Sequence, residues 1–315
     1  MTPDPRTALP EGVRLAVSPL SWANDVLEDL GADIPLETCL RDAAQTGYEG
    51  VELGRKFPRD PATLRPLLEA HGLALASGWH SGRLAEDGVA AEMVAVAPHA
   101  ALLRDLGGTV MVYGETAMMP PGAPLDAPMS ARRILPADEL PAYAARLTEF
   151  ARRLQGDYGL TPAYHHHLMM VAETFDEVSA LLDRAGPELG LLLDTGHAVA
   201  AGFDYARLID RFGSRIVHIH LKDVRPARLQ AVQTADASFN AAVRAGMFTV
   251  PGDGALDFAP LARFVRASGY RGWLVVEAEQ DPALAPPRPA VARAQAHVLS
   301  TFAAVTAGLL PGETP

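Results

Sequence analysis

The chain has 315 residues, a formal net charge of −11, and an apolar fraction of 49%. That apolar fraction supports a large hydrophobic core and excludes the intrinsically disordered class. Lys and Arg do not cluster into a stripe suited to phosphates, so we expect no nucleic-acid partner.

Neither the N-terminal segment nor any later stretch has the apolar run of a secretory signal or a membrane span. The sequence contains one cysteine, Cys39, which excludes an internal disulfide. We therefore predict a cytoplasmic protein without a membrane partner.

Short runs rich in valine, leucine and isoleucine alternate with longer helical patterns along the chain. Continuous apolar runs are typical of parallel strands that are buried on both faces. The predicted strands are Val13–Ser18, Gly50–Leu53, Leu73–Gly78, Thr109–Tyr113, Thr161–His166, Gly190–Asp194, Ile216–Leu221 and Trp273–Glu277. The predicted helices are Leu36–Thr46, Pro61–Ala70, Val89–Leu106, Ala137–Tyr158, Thr174–Arg184, Tyr205–Phe212, Phe258–Ser268 and Arg288–Ala304.

Local signals support several of these helices. Asp60 and Asp257 stand where a helix N-cap is expected, and Pro61 suits a first helical turn. Gly47 and Gly72 follow predicted helices, where glycine can supply a left-handed C-cap.

Eight strand–helix units in one chain predict a single (β/α)₈ TIM barrel of the α/β class. The alternative is an open doubly wound sheet, which usually carries a glycine-rich loop after its first strand. Here the stretch Ser18-Pro19-Leu20-Ser21-Trp22 follows the first strand without a glycine. We predict a barrel domain over residues 13–307, with flexible segments at 1–12 and 308–315.

The proline-rich stretch from Ala117 to Pro136 follows the fourth predicted strand, on the side where barrel loops build active sites. Two interpretations are open. The stretch is either a surface excursion or a functional loop that serves as a lid or subunit contact.

Ionisable side chains stand at nearly every predicted strand end, and seven of the ten histidines are among them. In a TIM barrel, the carboxyl ends of the strands share one active-site mouth. The residues at these ends are Glu52, Lys56, Trp79, His80, Tyr113, Glu115, His165, His166, His167, Asp194, His197, His218, His220, Lys222, Asp223, Glu277 and Glu279.

Histidine and carboxylate together are ligands for divalent manganese, cobalt, iron or zinc. A lone histidine at a strand end is more often a hydrogen-bonded core residue, but Asp194, His220 and Glu277 come from three successive strands whose ends converge. Glu52 has an alternative interpretation as a buried carboxylate paired with a lysine, either Lys56 or Lys222. Strand alternation places on common faces the pairs His165 and His167, His218 and His220, and Glu277 and Glu279.

Several of these stretches resemble known proteins. Leu193–His197, His218–Asp223 and Val276-Glu277 resemble the xylose-isomerase-like barrels. Narrower motifs resemble the inosose dehydratase family within that superfamily, and together they cover the chain from about Val13 to Pro282. These motifs are Ser21–Asp25, Val51–Pro58, Val112–Thr116, Ala163–His167, Phe248–Gly254 and Val276–Pro282.

The resemblance implies a carbon–oxygen lyase of myo-inositol catabolism. Such an enzyme dehydrates 2-keto-myo-inositol (scyllo-inosose) to 3,5/4-trihydroxycyclohexane-1,2-dione through an enediolate. It also implies a divalent metal ion, Mn²⁺ or Co²⁺ first, held by Asp194, His220 and Glu277. The fourth position falls at His165, where most sugar epimerases have glutamate, so His165, His167 or water could fill it.

The chemistry also needs proton transfer, for which His167 and Glu279 are the candidates. His167 is preferred because histidine can act as base and acid near neutrality. Leu168-Met169-Met170 stands where inosose dehydratases have a small Gly-Thr pair, so methionines that reach the pocket would narrow it. The expected substrate contacts are Asn24, Glu52, Lys56, Trp79, Glu115, His197 and Lys222.

Three other functions remain open. A metal-dependent keto-sugar isomerase or epimerase would use the same metal site and exchange protons without losing water. A metal-dependent endonuclease would need a basic groove, against which the net charge argues. A non-catalytic sugar-binding barrel would bind ligand without turnover. By analogy with related barrels, a homo-oligomer is a reasonable expectation.

Overall fold

The computed structural model describes residues 8–120, 122 and 124–308. Eight parallel strands close into a barrel, which confirms the predicted TIM barrel. The predicted flexible ends fall largely on 1–7 and 309–315, outside the described residues. Within the part of the chain that is described, no helix is both long enough and apolar enough to cross a membrane.

The barrel strands run in the order β1-β10-β7-β6-β5-β4-β3-β2, and β8 and β9 form a separate antiparallel pair. The strands are β1 (Val13–Val17), β2 (Gly50–Leu53), β3 (Ala74–Gly82), β4 (Val110–Glu115), β5 (Thr161–His165), β6 (Gly190–Asp194), β7 (Ile216–Leu221), β8 (Asp223–Val224), β9 (Phe248–Thr249) and β10 (Gly272–Val276). The helices are α1 (Leu36–Gln45), α2 (Pro61–Ala70), α3 (Val89–Asp105), α4 (Leu140–Tyr158), α5 (Phe175–Leu182), α6 (Thr195–Ala200), α7 (Ala206–Phe212), α8 (Pro226–Thr234), α9 (Phe239–Arg244), α10 (Ala259–Ala267) and α11 (Pro287–Thr306).

The eight predicted barrel strands and eight predicted helices all occur, with ends shifted by a few residues. The largest shift is in β3, which runs on to Gly82 because its last residues pair with β4, from Trp79 opposite Val112 to Gly82 opposite Glu115. Trp79 therefore lies within β3 rather than at its end. Asp60 caps α2 as predicted, and Gly47 and Gly72 adopt φ angles of 89° and 64°. At α10 the N-cap is Phe258, one residue later than expected, and Asp257 accepts from the Ala259 amide.

Strand alternation determines which side chains enter the barrel. Leu15 and Val17 of β1 pack in the main core between strands and helices, while Ala16 belongs to a separate small cluster. Successive strand side chains face opposite sides, so Ala16 points into the barrel interior. By the same rule Glu52 faces inward, because its neighbours Val51 and Leu53 belong to the main core.

A small cap, absent from the prediction, covers the mouth of the barrel. It consists of β8, α8, α9 and β9, and its apolar side chains form a second cluster around Phe239, Val243 and Phe248. The cap gives little sequence signal because its strands have two residues each, and Val232 is the one buried residue of α8.

The first testable prediction concerns the capping box that begins α5. Thr174 Oγ1 accepts from the Glu177 amide, and Glu177 Oε2 accepts from the Thr174 amide. Thr174→Ala should lower the free energy of unfolding by about 1 kcal/mol, because it leaves a helix amide without its acceptor. Thr174→Ser keeps the hydroxyl and should stay near wild type. Equal urea denaturation midpoints for the two variants would contradict the prediction.

Candidate metal centre and active-site cavity

A cavity of about 620 Å³ opens at the carboxyl ends of the barrel strands. Its base is polar, and its outer wall is formed by loops and by the cap. The residues at its base are Glu52, His165, His167, His220, Lys222, Glu277 and Glu279.

Four buried side chains at the base of the cavity could hold one metal ion. His165, Asp194, His220 and Glu277 each offer one ligand atom, and these atoms lie within 4.8 Å of one another. His220 Nδ1 is 3.0 Å from Glu277 Oε2 and 3.6 Å from Asp194 Oδ2. His165 Nε2 is 3.6 Å from the same Asp194 oxygen. The barrel thus brings together the three side chains that the resemblance implied as ligands and His165, one of the candidates for the fourth position.

The hydrogen bonding and chemical type of these ligand atoms fit a divalent ion. Asp194 Oδ2, His220 Nδ1 and Glu277 Oε2 are buried and make no well-aligned hydrogen bond within the described residues. Their polar neighbours are one another and the ammonium of Lys222. Buried polar atoms without a good hydrogen bond are rare in folded proteins. Two carboxylates and two imidazoles suit divalent manganese, cobalt, iron or zinc. The donor set and the lack of good hydrogen bonds at these atoms therefore fit one ion bound among them.

Contacts behind these side chains orient them toward that point. Asp194 caps α6, where its Oδ1 accepts from the His197 amide at 2.8 Å and leaves Oδ2 facing the cluster. His165 Nδ1 lies 2.8 Å from the carbonyl oxygen of His166, to which it donates, so its Nε2 is free for a metal ion. Such outer contacts fix the orientation and tautomer of ligands.

The charges also suit metal binding. Burial raises the pKa of Asp194, but Lys222 and His220 lower it more, so the net pKa lies below the usual carboxyl range. Burial raises the pKa of Glu277 as well, but the same two side chains, Lys222 and His220, lower it more. Burial, with His167 beside it, holds the pKa of His165 well below its ordinary value. Two carboxylates are therefore ionised and one imidazole neutral at neutral pH.

Lys222 supplies a fixed cation beside this cluster. Its buried Nζ lies 2.9 Å from both Glu277 Oε2 and Glu279 Oε2, and 2.9 Å from His197 Nε2. Burial lowers the pKa of Lys222, but Asp194 and Glu277 raise it more, so its net pKa lies above the ordinary value. His167, His197 and Glu279 also group as a possible metal cluster, but this ammonium already lies among them.

His167 and Glu279 stand at the edge of this polar base. His167 Nδ1 donates to the Leu168 carbonyl at 2.7 Å, which leaves Nε2 as an acceptor. Burial and the neighbouring Lys222 lower the pKa of His167 to about 4, so its imidazole is neutral at neutral pH. Burial raises the pKa of Glu279 against the opposing effect of Lys222. The pair thus consists of a neutral nitrogen base and a carboxyl group that holds its proton more strongly than usual.

Four of the expected substrate contacts line the cavity, namely Asn24, Glu52, Trp79 and Lys222. The side-chain oxygen of Asn24 accepts from the amides of Val26 and Leu27, so it also shapes the loop after β1. Of the two methionines considered, Met170 reaches the cavity, and Met169 packs in the cap cluster.

The other three expected contacts lie elsewhere, and the prediction for them is corrected. Lys56 turns toward the loop after β1, where its Nζ donates to the carbonyls of Gly31, Ala32 and Ile34. The chain leaves β2 before Lys56, so strand alternation does not direct this side chain inward.

Glu115 and His197 are buried outside the cavity lining. Glu115 accepts from the Tyr113 hydroxyl and from the amides of Ala85 and Ala117, and burial raises its pKa to about 7. Its role is to join two loops. His197 lies behind Lys222 on α6 and contacts that ammonium rather than the cavity.

Part of the proline-rich stretch forms a wall of the cavity. Met119, Leu125 and Asp126 line the cavity, and Asp126 accepts a 2.9 Å hydrogen bond from Asn240 of the cap. Asn240 was not among the predicted site residues. Asp126 lies in a long loop and Asn240 on a short helix more than a hundred residues away, and neither gives a sequence signal that they meet.

The fold is a TIM barrel, and the cluster at its base consists of buried histidines and carboxylates that could hold a metal ion. The chain belongs to the xylose isomerase-like TIM barrel family, which it matches over residues 40–302. It is 46% identical over 275 residues to the rhizopine catabolism protein MocC of Rhizobium meliloti, covering 87% of this chain and 84% of that protein. It is 35% identical over 291 residues to the inosose dehydratase of Geobacillus thermodenitrificans (strain NG80-2), covering 92% of this chain and 97% of that protein. These relatives confirm the resemblance seen in the sequence motifs.

A solved structure of the IOLI protein with a bound zinc atom is similar in fold. The TM-score is 0.65 at 15% sequence identity, and the match covers 95% of this chain and 100% of that one. At this identity the likeness supports the fold alone.

The second prediction tests the metal centre. Asp194→Asn should weaken Co²⁺ binding by more than about 100-fold, because losing a ligand costs more than losing an outer contact. Isothermal titration calorimetry of metal-free protein measures this affinity. The matched control is Asp183→Asn, an exposed aspartate paired with Arg211, which should bind Co²⁺ like wild type. Equal affinities in the two variants would exclude Asp194 as a ligand.

Proposed function

We propose that this protein is a metal-dependent hydro-lyase that converts scyllo-inosose to 3,5/4-trihydroxycyclohexane-1,2-dione. The observation that carries the proposal is the convergence of buried side-chain atoms from His165, Asp194, His220 and Glu277, which could hold one ion, in a cavity that His167 and Glu279 also line. The inosose dehydratase among its relatives narrows the substrate to a cyclic polyol ketone.

The chain supplies the groups that this reaction needs. A proton α to a ketone is too weakly acidic to be removed unaided at neutral pH. A divalent ion held by Asp194, His220, Glu277 and His165 would polarise the ketone as a Lewis acid. Mn²⁺ and Co²⁺ are the ions we propose, since histidine and carboxylate ligands suit both.

His167 Nε2 takes the α proton in this proposal, and the C–H electron pair moves toward the ketone carbon to give an enediolate. The enediolate then re-forms the ketone, and its electron pair makes a double bond to the β carbon as the β C–O bond breaks. Glu279 delivers a proton to the departing hydroxyl, which leaves as water. The resulting enol tautomerises to the dione, and its ring carbon takes up a solvent proton. General acid–base transfer of this kind contributes about 10²- to 10⁴-fold to a rate.

Neighbouring side chains prepare the pair for these roles. Lys222 Nζ donates to Glu279 Oε2 at 2.9 Å and fixes its carboxyl group. The ring of Trp79 packs edge-on against His165 and His167, with centroids 5.6 and 6.0 Å apart. This aromatic edge limits the approach of water to the base.

The charge around the cavity supports a small uncharged substrate. Acidic side chains line its mouth, and Lys222, the cation that lines its base, is already paired with two carboxylates. Such a lining repels phosphate, which argues against a nucleic-acid substrate. The acidic residues of the mouth are Asp25, Glu28, Asp29 and Asp126.

The third prediction concerns the reaction itself. Metal-free protein is mixed with scyllo-inosose in D₂O, and proton NMR spectra are recorded before and after addition of Mn²⁺ or Co²⁺. We expect a deoxy-dione to form only after metal addition, with deuterium at the new methylene. Deuterium exchange without loss of water would replace the dehydratase by a keto-sugar isomerase or epimerase. Ligand binding without any exchange would indicate a sugar-binding barrel.

The fourth prediction tests the assigned base. His167→Gln should lower kcat by about 10²-fold or more, because general base catalysis is lost. Co²⁺ affinity should stay within about threefold of wild type, a margin close to RT at 25 °C. The control is His71→Gln, at the C-cap of α2 and outside the cavity lining. Turnover of His167→Gln within a few-fold of wild type would remove His167 from the mechanism.

A further inference from the structure

One buried carboxylate, Glu52, is not used by the proposed mechanism and reaches across the barrel. Its Oε1 lies 2.8 Å from His218 Nε2 and 3.2 Å from His220 Nε2. Glu52 is on β2 and both histidines are on β7, and β1 and β10 stand between these strands in the barrel. The carboxylate therefore meets the two imidazoles in the barrel interior. All three side chains are buried.

This contact determines which nitrogen of His220 faces the metal cluster. An ionised carboxylate can only accept hydrogen bonds, so both imidazoles must carry a hydrogen on Nε2. His220 then turns Nδ1 toward Asp194 and Glu277. This Nδ1 is one of the buried atoms that lack a hydrogen-bond partner among the described residues.

We propose that Glu52 is a positioning residue for the metal centre, which holds the His220 ring so that the lone pair of Nδ1 points at the ion. This inference rests on the proposed metal-dependent function. A carboxylate that accepts from the far nitrogen of a ligand histidine fixes its tautomer and orientation and makes the near nitrogen a stronger ligand.

His218 holds the same carboxylate from the other side. Because both histidines donate to one oxygen, that oxygen is fixed between two donors. Glu52, His218 and His220 also group by distance as a possible second metal cluster. Their hydrogen bonds argue against that, since a nitrogen that carries hydrogen has no lone pair for an ion.

Two other roles for Glu52 predict different measurements, namely a contact with the substrate and a purely structural contact. The first alternative is a substrate contact, as predicted from the sequence, since Glu52 lines the cavity. A substrate contact would affect KM and leave metal affinity unchanged. A purely structural brace would affect the stability of the metal-free protein and leave the ligand field of the ion unchanged.

The test is a Co²⁺ titration of the metal-free full-length protein, which yields both the affinity and the visible absorption bands of the bound ion. Glu52→Leu removes the acceptor and should weaken Co²⁺ binding by about 10- to 100-fold, with shifted bands. Glu52→Gln can keep an oxygen at the same position without its charge, so it should lose less affinity and keep bands close to wild type. Glu52→Asp keeps the charge but moves the carboxylate oxygen away from His220, so its Co²⁺ affinity and bands should change as in Glu52→Leu. If the leucine variant does not fold, the aspartate variant tests the positioning role in its place.

The matched control is a second buried carboxylate–histidine pair. Glu92 Oε1 lies 2.6 Å from His80 Nε2, away from the residues that line the cavity. Glu92→Leu should destabilise the metal-free protein and leave the Co²⁺ affinity and bands of the folded protein as in wild type. Thermal unfolding of each metal-free variant separates stability from metal binding.

The outcomes distinguish this inference from the proposed function. If wild-type protein binds no Co²⁺, the metal-dependent function itself fails. If wild type binds Co²⁺ and the folded Glu52 variants match its affinity and bands, the positioning role alone is overturned. A raised KM for scyllo-inosose with unchanged Co²⁺ binding would assign Glu52 to the substrate instead.

Discussion

Repulsion between buried carboxylates is the constraint on which this site depends. Asp194 and Glu277 both bring an oxygen to within 3.6 Å of His220 Nδ1, inside a closed barrel. Two like charges about 4 Å apart repel by about 4 kcal/mol at the effective dielectric constant of a protein. The fold must therefore place a positive charge beside these two carboxylates. Lys222, the residue that directly follows β7, provides this charge.

The packing around Lys222 explains two sequence motifs as one structural unit. A Cβ at Gly196 would lie 2.5 Å from the Cγ of Lys222, so a glycine is needed for the lysine stem to pass. Thr195 Oγ1 donates to the Lys222 carbonyl at 2.7 Å and accepts from its amide at 3.0 Å. Residues of the Leu193–His197 stretch thus pack against Lys222 of the His218–Asp223 stretch and hold it in place.

The site residues that could be predicted from the sequence are those whose side-chain direction follows from their position in a strand. Glu52, His220 and Glu277 stand within or directly after strands, so alternation alone sends them into the barrel. Lys56 follows β2 by three residues, where the direction of a side chain depends on the path of the loop. Glu115 ends β4, but its carboxylate is held by amides of two loops that the sequence does not bring together.

The cap shows the same limit at a larger scale. Its two strands are too short to show alternation, and α8 has one buried residue and therefore no amphipathic pattern. The apolar side chains of the cap pack in a cluster with residues of the barrel loops. Phe239 reaches the cavity because α9 packs on the proline-rich loop at Asp126, a contact between segments more than a hundred residues apart. Long-range packing of this kind determines which residues form the outer wall of the cavity, whereas local strand geometry determines which residues lie at its base.

The balance of charge at the base then constrains what the cavity can accept. Against the effect of burial, His220 and His218 hold the pKa of Glu52 at about 2. Lys222 and His220 likewise hold the pKa values of Asp194 and Glu277 below the usual carboxyl range. In the proposed function, the ammonium of Lys222 and the divalent ion would together match these three negative charges. No positive charge is then left at the base for a phosphate or carboxylate on the substrate, whose burial without a partner would be costly. A neutral polyol ketone needs hydrogen bonds and a polarising ion but no counter-charge, which is the chemistry that this arrangement of ionised side chains can provide.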